Sequence, residues 1–262
     1  MLKKLSRAVL PASLRDWFHW QRLLWNCAGF GPGDLERAYG EICSGLDLAR
    51  LRALREGMRA TRERDPRCPA KYYDVEHWLR IALCNAARLG LHRRRGLRIL
   101  DLGCGPGWFM AACRHFGHEV DGLDLPYGMM DDVSARVYRE LTDFLGFGDR
   151  VQETRIEALK AMPLRGEYDV IVAFLVCFNN HKQPDTWGAR EWRFFLDDAA
   201  ARLRPGGRLF MQLNSDRPRF GKRVFYDAET LELFAARGQV RGKMVDIRTP
   251  SAPRHPVSAV SS

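Results

Sequence analysis

Residues 98–109 read Arg-Ile-Leu-Asp-Leu-Gly-Cys-Gly-Pro-Gly-Trp-Phe, and that order of residue types admits few architectures. Ile99, Leu100 and Leu102 form a short apolar run suited to a buried strand, with Asp101 near its end. Gly103, Gly105 and Gly107 then alternate, and Trp108 to Ala112 begins a helix-like run. Glycines let the backbone turn sharply and approach a ligand with no Cβ in the way. A helix that follows such a turn presents free N–H groups and a partial positive charge. The stretch therefore reads as a strand–turn–helix unit that holds a small molecule against bare main chain. The spacing is not that of a dinucleotide loop, Gly-x-Gly-x-x-Gly, whose third glycine would fall at 108, where Trp stands.

Downstream, the spacing predicts a helix over 108–116 stopped by Gly117, then a strand over 118–124 ending on Asp124. A carboxylate at the end of a second parallel strand can accept both hydroxyls of a ribose. Leu125 and Pro126 follow Asp124. Residues 130–145 form an amphipathic helix with Val133, Val137, Leu141, Phe144 and Leu145 inward. A weaker strand covers 151–156. The most continuous apolar run, 169–178, suits a central parallel strand covered on both faces, with Ala173 and Phe174 near its exit. A helix over 192–203, the turn Leu203-Arg-Pro-Gly-Gly-Arg-Leu209, a strand over 209–213, a helix over 227–237 and a last strand over 243–248 complete the pattern. Strands alternating with helices imply an α/β protein with a doubly wound, mostly parallel sheet, and ligands bind beyond the carboxyl ends of its strands.

Upstream, residues 34–65 read as helical until Asp65-Pro66, since a residue before proline resists the helical region. Asp74 is a plausible N-cap for a helix that stops at Gly90. Residues 1–30 mix Lys3, Lys4, Arg7, Arg15 and Arg22 with Trp17, Phe18, Trp20 and Trp25, and a helix is expected from Ser13 to about Cys27. The expected organisation is a basic helical appendage over 1–70, a ligand-binding domain over 71–248 and a disordered tail over 249–262, rich in Pro, Ser and Ala.

The chain has 262 residues, 46% hydrophobic and 28% charged, which suits a soluble globular protein. No apolar run reaches the roughly 18 residues of a membrane span, and no signal peptide is evident. The net charge of +10 is uneven. Residues 1–97 hold 19 Lys and Arg against 10 Asp and Glu, and residues 98–262 hold 23 against 22. The basic first third suits an anionic surface: the inner face of a membrane, met peripherally by the Trp-bearing segment, or nucleic acid. The seven cysteines show no Cys-x-x-Cys pair, which argues against a metal knuckle or a disulfide framework and for reduced thiols in the cytoplasm.

The run Asp101-x-Gly103-x-Gly105-x-Gly107 resembles the first motif of the class I S-adenosylmethionine-dependent methyltransferases, and Asp124 and the Arg-Pro-Gly-Gly turn fit the same family. The resemblance covers about residues 71 to 248. It implies S-adenosylmethionine as cofactor and a Rossmann-like methyltransferase fold. It also implies that Asp101 and the Gly103 backbone face the cofactor's amino group, that Cys104, Gly105 and Gly107 line the loop, and that Asp124 and Leu125 hold the nucleoside. Ile156 and Glu157 would meet the adenine, and Ala173 and Phe174 would lie above the cofactor. Tyr72 and Tyr73 precede the domain, where the family closes its cofactor site, and packing is their expected role. The family usually ends in a two-stranded hairpin, of which only one strand is evident here.

Methyl transfer needs alignment and desolvation, and a base only if the acceptor must lose a proton. His181 is the candidate base, and Asn179, Asn180 and Trp187 are candidate acceptor contacts. No Asn/Asp-Pro-Pro-Tyr/Phe motif follows the strand from Asp169, and Cys177 lacks a neighbouring proline. Both absences turn the expectation from nucleobases towards a small-molecule or glycan- or lipid-linked acceptor, on oxygen, with no metal. Two alternatives stay open: an RNA methyltransferase gripping phosphates through the basic N-terminal region, and a non-catalytic S-adenosylmethionine- or nucleotide-binding protein.

Overall fold

The computed structural model describes residues 27, 29–65, 68–164, 166–176, 178–180, 185–214 and 226–251. The basic aromatic segment expected before residue 27, His181, Cys177 and most of the expected tail lie outside the described residues. In chain order the elements are α1 Pro32–Ser44, α2 Leu48–Gly57, α3 Arg59–Arg64, α4 Val75–Arg88, β1 Arg98–Leu102, α5 Trp108–His115, β2 Glu119–Asp124, α6 Asp132–Phe144, β3 Val151–Glu153, β4 Tyr168–Phe174, α7 Ala189–Ala201, β5 Leu203–Gln212, α8 Ala228–Arg237, β6 Gln239–Arg241 and β7 Met244–Arg248. The sheet runs β3-β2-β1-β4-β5-β7-β6. β1, β4 and β5 are parallel neighbours, and β7 is antiparallel to both β5 and β6. This is the mixed, Rossmann-like sheet that the alternation of strand and helix patterns predicts.

The chain divides into two compact units. The first comprises residues up to Gly96, Cys104–Gly122 and Pro126–Gln152. Here α4 buries Leu79, Leu83, Ala86 and Ala87 and packs on α5 and α1. Its N-terminus is capped as expected, Asp74 accepting from the His77 N–H. The 3-10 turn Pro69–Tyr73 is tied on both sides: the Trp108 indole donates to the Tyr72 carbonyl at 3.0 Å, and the buried Tyr73 hydroxyl donates to Glu140 on α6. Burial raises the Tyr73 pKa, with the Glu140 carboxylate adding to the rise, so the phenol stays a proton donor. Tyr73 is thus a packing residue. Arg80 lies over the Tyr39 ring at 4.0 Å while its guanidinium pairs with Glu36 and Glu76.

The second unit comprises Leu97–Gly103, Leu123–Leu125 and the residues from Glu153 onward. Its core gathers Leu100 and Leu102 of β1, Ile171 and Ala173 of β4, Leu209 and Met211 of β5, and Trp192, Phe195 and Leu196 of α7. The Asp169 carboxylate accepts from the Arg98 N–H at 2.8 Å and from the Arg204 guanidinium at 3.1 Å, fixing where β1 and β4 begin to pair. Arg208 on β5 makes a two-pronged pair with Asp246 on β7, at 2.7 and 2.8 Å. Planar, bidentate geometry of this kind aligns strands as well as stabilising them.

Four local expectations are revised. The helix expected over 34–65 breaks after Ser44, where Asp47 recaps the chain by accepting from the Arg50 N–H, and again at Met58. The apolar run 169–178 is longer than its strand, because Leu175 turns to φ +55° and leaves the sheet. The Arg-Pro-Gly-Gly turn belongs to β5 as an irregularity, its pairing jumping from Tyr168↔Leu203 to Val170↔Arg208. The closing hairpin is complete: Gln239–Arg241 pairs with Met244–Arg248. Three residues carry too little periodicity to be read as a strand from sequence.

The hairpin predicts one cost of substitution. A Cβ on Gly238 would press on the Asp246 carbonyl oxygen and lie 2.8 Å from Ile247 Cγ1. Backbone cannot yield as a side-chain tip can, so Gly238→Ala should lose about 1–3 kcal/mol of stability. Urea unfolding of the two proteins measures it.

Candidate active site

The strand ends of the second unit carry the two candidate acids, Asp101 and Asp124. Asp101 lies on β1 and is 2% exposed. Among the described residues its carboxyl makes no hydrogen bond. Burial, with the neighbouring Asp124 carboxylate adding to it, pushes the Asp101 pKa from 3.8 to about 8. The two acids singled out from sequence are therefore close enough to repel, as convergence at one sheet end requires. The backbone explains how: the Gly103 N–H donates to the Leu123 carbonyl at 2.7 Å, joining the end of β1 to the end of β2. The Asp124 carboxylate accepts from the Leu125 N–H at 2.6 Å, and the Asp124 carbonyl accepts from the Thr154 N–H at 2.8 Å.

Gly103 is exposed, with φ +71°, and a Cβ there would meet nothing within 4 Å. The same holds for Gly105, at φ +55° in the first unit. Left-handed backbone facing open space is what a cradle for a ligand's polar end needs. Gly107 differs. It caps α5 at φ +90°, and a Cβ there would lie 3.3 Å from the Phe147 ring, so packing as well as dihedral keeps it small. Cys104 is buried and turned towards Gly122, where a Cβ would stand 2.7 Å from its sulfur.

The remaining candidates are placed unevenly. Ile156 is buried with Leu102 and Leu123 in the core. Glu157 is exposed and pairs with Lys160 at 3.0 Å. Ala173 is wholly buried, while Phe174 is half-buried with its ring 6.0 Å from that of Phe210. Asn179 is wholly buried and Asn180 half-buried, at φ +55°, its amide donating to Asp185 at 2.9 Å. Trp187 is buried against Phe178 and Trp192, with its N–H donating to the Asn179 carbonyl at 3.0 Å.

Leu175 was not legible as special. It is a branched residue at positive φ, 48% exposed, just past β4. Such strained, exposed apolar positions concentrate at functional sites. Trp192 was read only as the start of a helix, yet its indole N–H is buried with no partner among the described residues. Nothing in an apolar helix pattern announces an unmet donor.

A family model described as a methyltransferase domain matches residues 75–241. The malonyl-[acyl-carrier protein] O-methyltransferase of Erwinia billingiae (strain Eb661) is 46% identical over 43 residues, which is 16% of this chain and 17% of that protein. The chain therefore spans under a fifth of this relative's length in the match. Among solved structures, an O-methyltransferase family protein from Burkholderia thailandensis is similar over 90% of this chain and 71% of its own, with 18% identity and a TM-score of 0.48. SAM-bound CalS10, an amino pentose methyltransferase from Micromonospora echinaspora, is similar over 55% of this chain and 53% of its own, with 22% identity and a TM-score of 0.39.

The Asp101 geometry predicts a pH dependence. Its folded pKa lies above its unfolded value, so between about pH 4 and pH 8 the folded chain keeps a proton that the unfolded chain has lost. Its contribution to stability is therefore present at low pH and lost as pH rises through that window. Asp101→Asn should make the ligand-free protein more stable than wild type by about 1–3 kcal/mol at pH 8, the margin narrowing towards pH 5. Urea unfolding at both pH values checks it.

Proposed function

The chain belongs to the S-adenosylmethionine-dependent methyltransferases, and from that membership we propose that it methylates an oxygen of a small-molecule or glycan- or lipid-linked acceptor. The observation that carries the cofactor half is the buried Asp101 carboxyl beside open, left-handed main chain at Gly103. A buried carboxyl with no hydrogen bond among the described residues, held next to a second carboxylate, is matched by a ligand that brings positive charge. S-adenosylmethionine supplies, when bound, an electrophilic methyl carbon and a neutral thioether leaving group. Asp101 and the Gly103–Gly105 backbone would hold its amino-acid end, and Asp124 its ribose. Cys104 and Gly107 would shape the loop from behind. Leu125, Ile156, Glu157, Ala173 and Phe174 are the remaining candidate contacts, of which Phe174 is the partly exposed aromatic ring. We place this domain at 71–248.

The relative with the matching stretch is an O-methyltransferase, which favours oxygen. An alcohol or phenol that loses its proton needs a base within reach, and His181, next in sequence to Asn180, has the right intrinsic pKa for it. A second reading, methylation of RNA, draws on the 19 basic against 10 acidic residues in 1–97. Among the described residues no helix is long and apolar enough to cross a membrane. Peripheral contact of residues 1–30 with an anionic membrane remains part of the proposal.

Calorimetry should show S-adenosylmethionine binding and NAD not. At pH 7 binding should release a proton from Asp101, read as a heat that depends on the buffer's ionisation enthalpy. Radiolabelled methyl groups transferred to a cell extract should appear in the small-molecule or glycolipid fraction, and label found only in RNA would select the second reading. On the acceptor so identified, His181→Ala should retain cofactor affinity and lose about 10²–10⁴-fold in turnover.

A further inference from the structure

The loop that joins β3 to β4 has no helix or strand from 154 to 164, and the second unit pins it at both ends. At its entry the Thr154 N–H donates to the Asp124 carbonyl at 2.8 Å. At its exit α7 takes hold. The Asp198 carboxylate accepts from the Met162 N–H at 2.9 Å. Arg202, just past the helix end, donates to the Met162 and Leu164 carbonyls, both at 2.5 Å, and to the Asp198 carboxylate at 2.9 Å. One ion pair thus fixes three main-chain groups, and its Arg202 and Asp198 side chains are only 16% and 13% exposed. Ile156 and Met162 anchor the loop in the core, and between them Leu159 is held at φ +57°. A leucine in the left-handed region persists only where its surroundings over-determine the backbone.

Stability alone does not account for the pair. Burying two charges costs about what their attraction returns, and apolar side chains of similar volume would serve the core as well. Apolar side chains cannot, however, fix a carbonyl, an N–H and a second carbonyl at once. The planar fork of an arginine beside a carboxylate does so. The loop held in this way carries the next groups along the strand ends. In the sheet order β1, β2, β3, the open main chain at Gly103 comes first, then Asp124, then the loop that leaves β3. A ligand with its cationic end at Asp101 and its sugar at Asp124 brings its third part, a base, to residues 156–157. Among the described residues the Ile156 and Glu157 N–H groups make no hydrogen bond. Main-chain groups discriminate only through where they stand, so whatever fixes the loop sets the discrimination.

We propose that Asp198 and Arg202 are positioning residues: they hold the 154–164 loop so that its main chain at 156–157 reads the hydrogen-bonding edge of the cofactor's base. The proposal rests on the methyltransferase reading and adds to it the pair on α7 that sets base selectivity without touching the ligand.

The test uses the full chain and two probes, S-adenosylhomocysteine and S-inosylhomocysteine, in which a carbonyl replaces the amino group of the base. Calorimetry reads both affinities, and urea unfolding reads stability on the same samples. Wild type should prefer the adenine form at least about tenfold, the effect of a mispaired edge. Asp198→Leu combined with Arg202→Met replaces the pair by apolar side chains. It should narrow the preference to about threefold or less, with S-inosylhomocysteine affinity changing less than about twofold. Asp198→Asn keeps an acceptor for the Met162 N–H and should keep the preference. Should the double variant not fold, Arg202→Lys carries the test: it keeps the charge, loses the fork and should narrow the preference at least about threefold. A preference unchanged in the folded variants, whether or not both affinities fall together, leaves the pair a structural role only and overturns the proposal. A wild type that binds the two probes equally overturns it as well. A chain that binds neither probe refutes the underlying methyltransferase reading instead.

Discussion

A carboxylic acid buried at the end of a central strand, facing a second carboxylate, sets the terms for the rest of this molecule. The sheet needs β1 covered on both faces, which strips water from Asp101. The Gly103–Leu123 hydrogen bond brings the end of β2 alongside and with it Asp124. Neither constraint is relieved within the described residues, so the acid keeps its proton near neutrality and the ligand-free fold carries the strain. Function explains the arrangement better than stability does, because an apolar residue at 101 would satisfy the core more cheaply.

At the strand end Asp101 keeps a proton beside Asp124, and beyond β4 the Asn179 amide and the Trp192 indole are wholly buried with no hydrogen-bond partner among the described residues. A transferase needs two ligands held differently, one by charge and main chain, the other by shape and a few directed hydrogen bonds. Leu175, left-handed and exposed, lies in the chain between these two environments.

The ends of β1 and β2 were legible because they depend on residues that few other contexts would demand together. Glycines alternating after a buried strand, and an acid closing the next strand, are local signals of non-local geometry, and both lie where the topology needs them. Element ends were less readable. The break after Ser44 depends on an Asp47 cap inside an otherwise helical pattern, and the early exit of β4 depends on one residue's dihedral rather than on hydrophobicity. The three-residue β6 has no periodicity to detect. The segment beyond β4 was least legible. Asn179 and Trp187 stood out by type, but an unmet hydrogen bond is a property of packing, and Trp192 looked like any core residue of a helix.

Both margins of the sheet consist of three-residue strands, Val151–Glu153 on one side and Gln239–Arg241 on the other. A rim so short exposes few unclaimed amide and carbonyl groups, which makes it a poor template for a foreign strand. Self-association that extends the sheet from one copy into the next is thereby discouraged, and so is the fibrillar growth that begins with it.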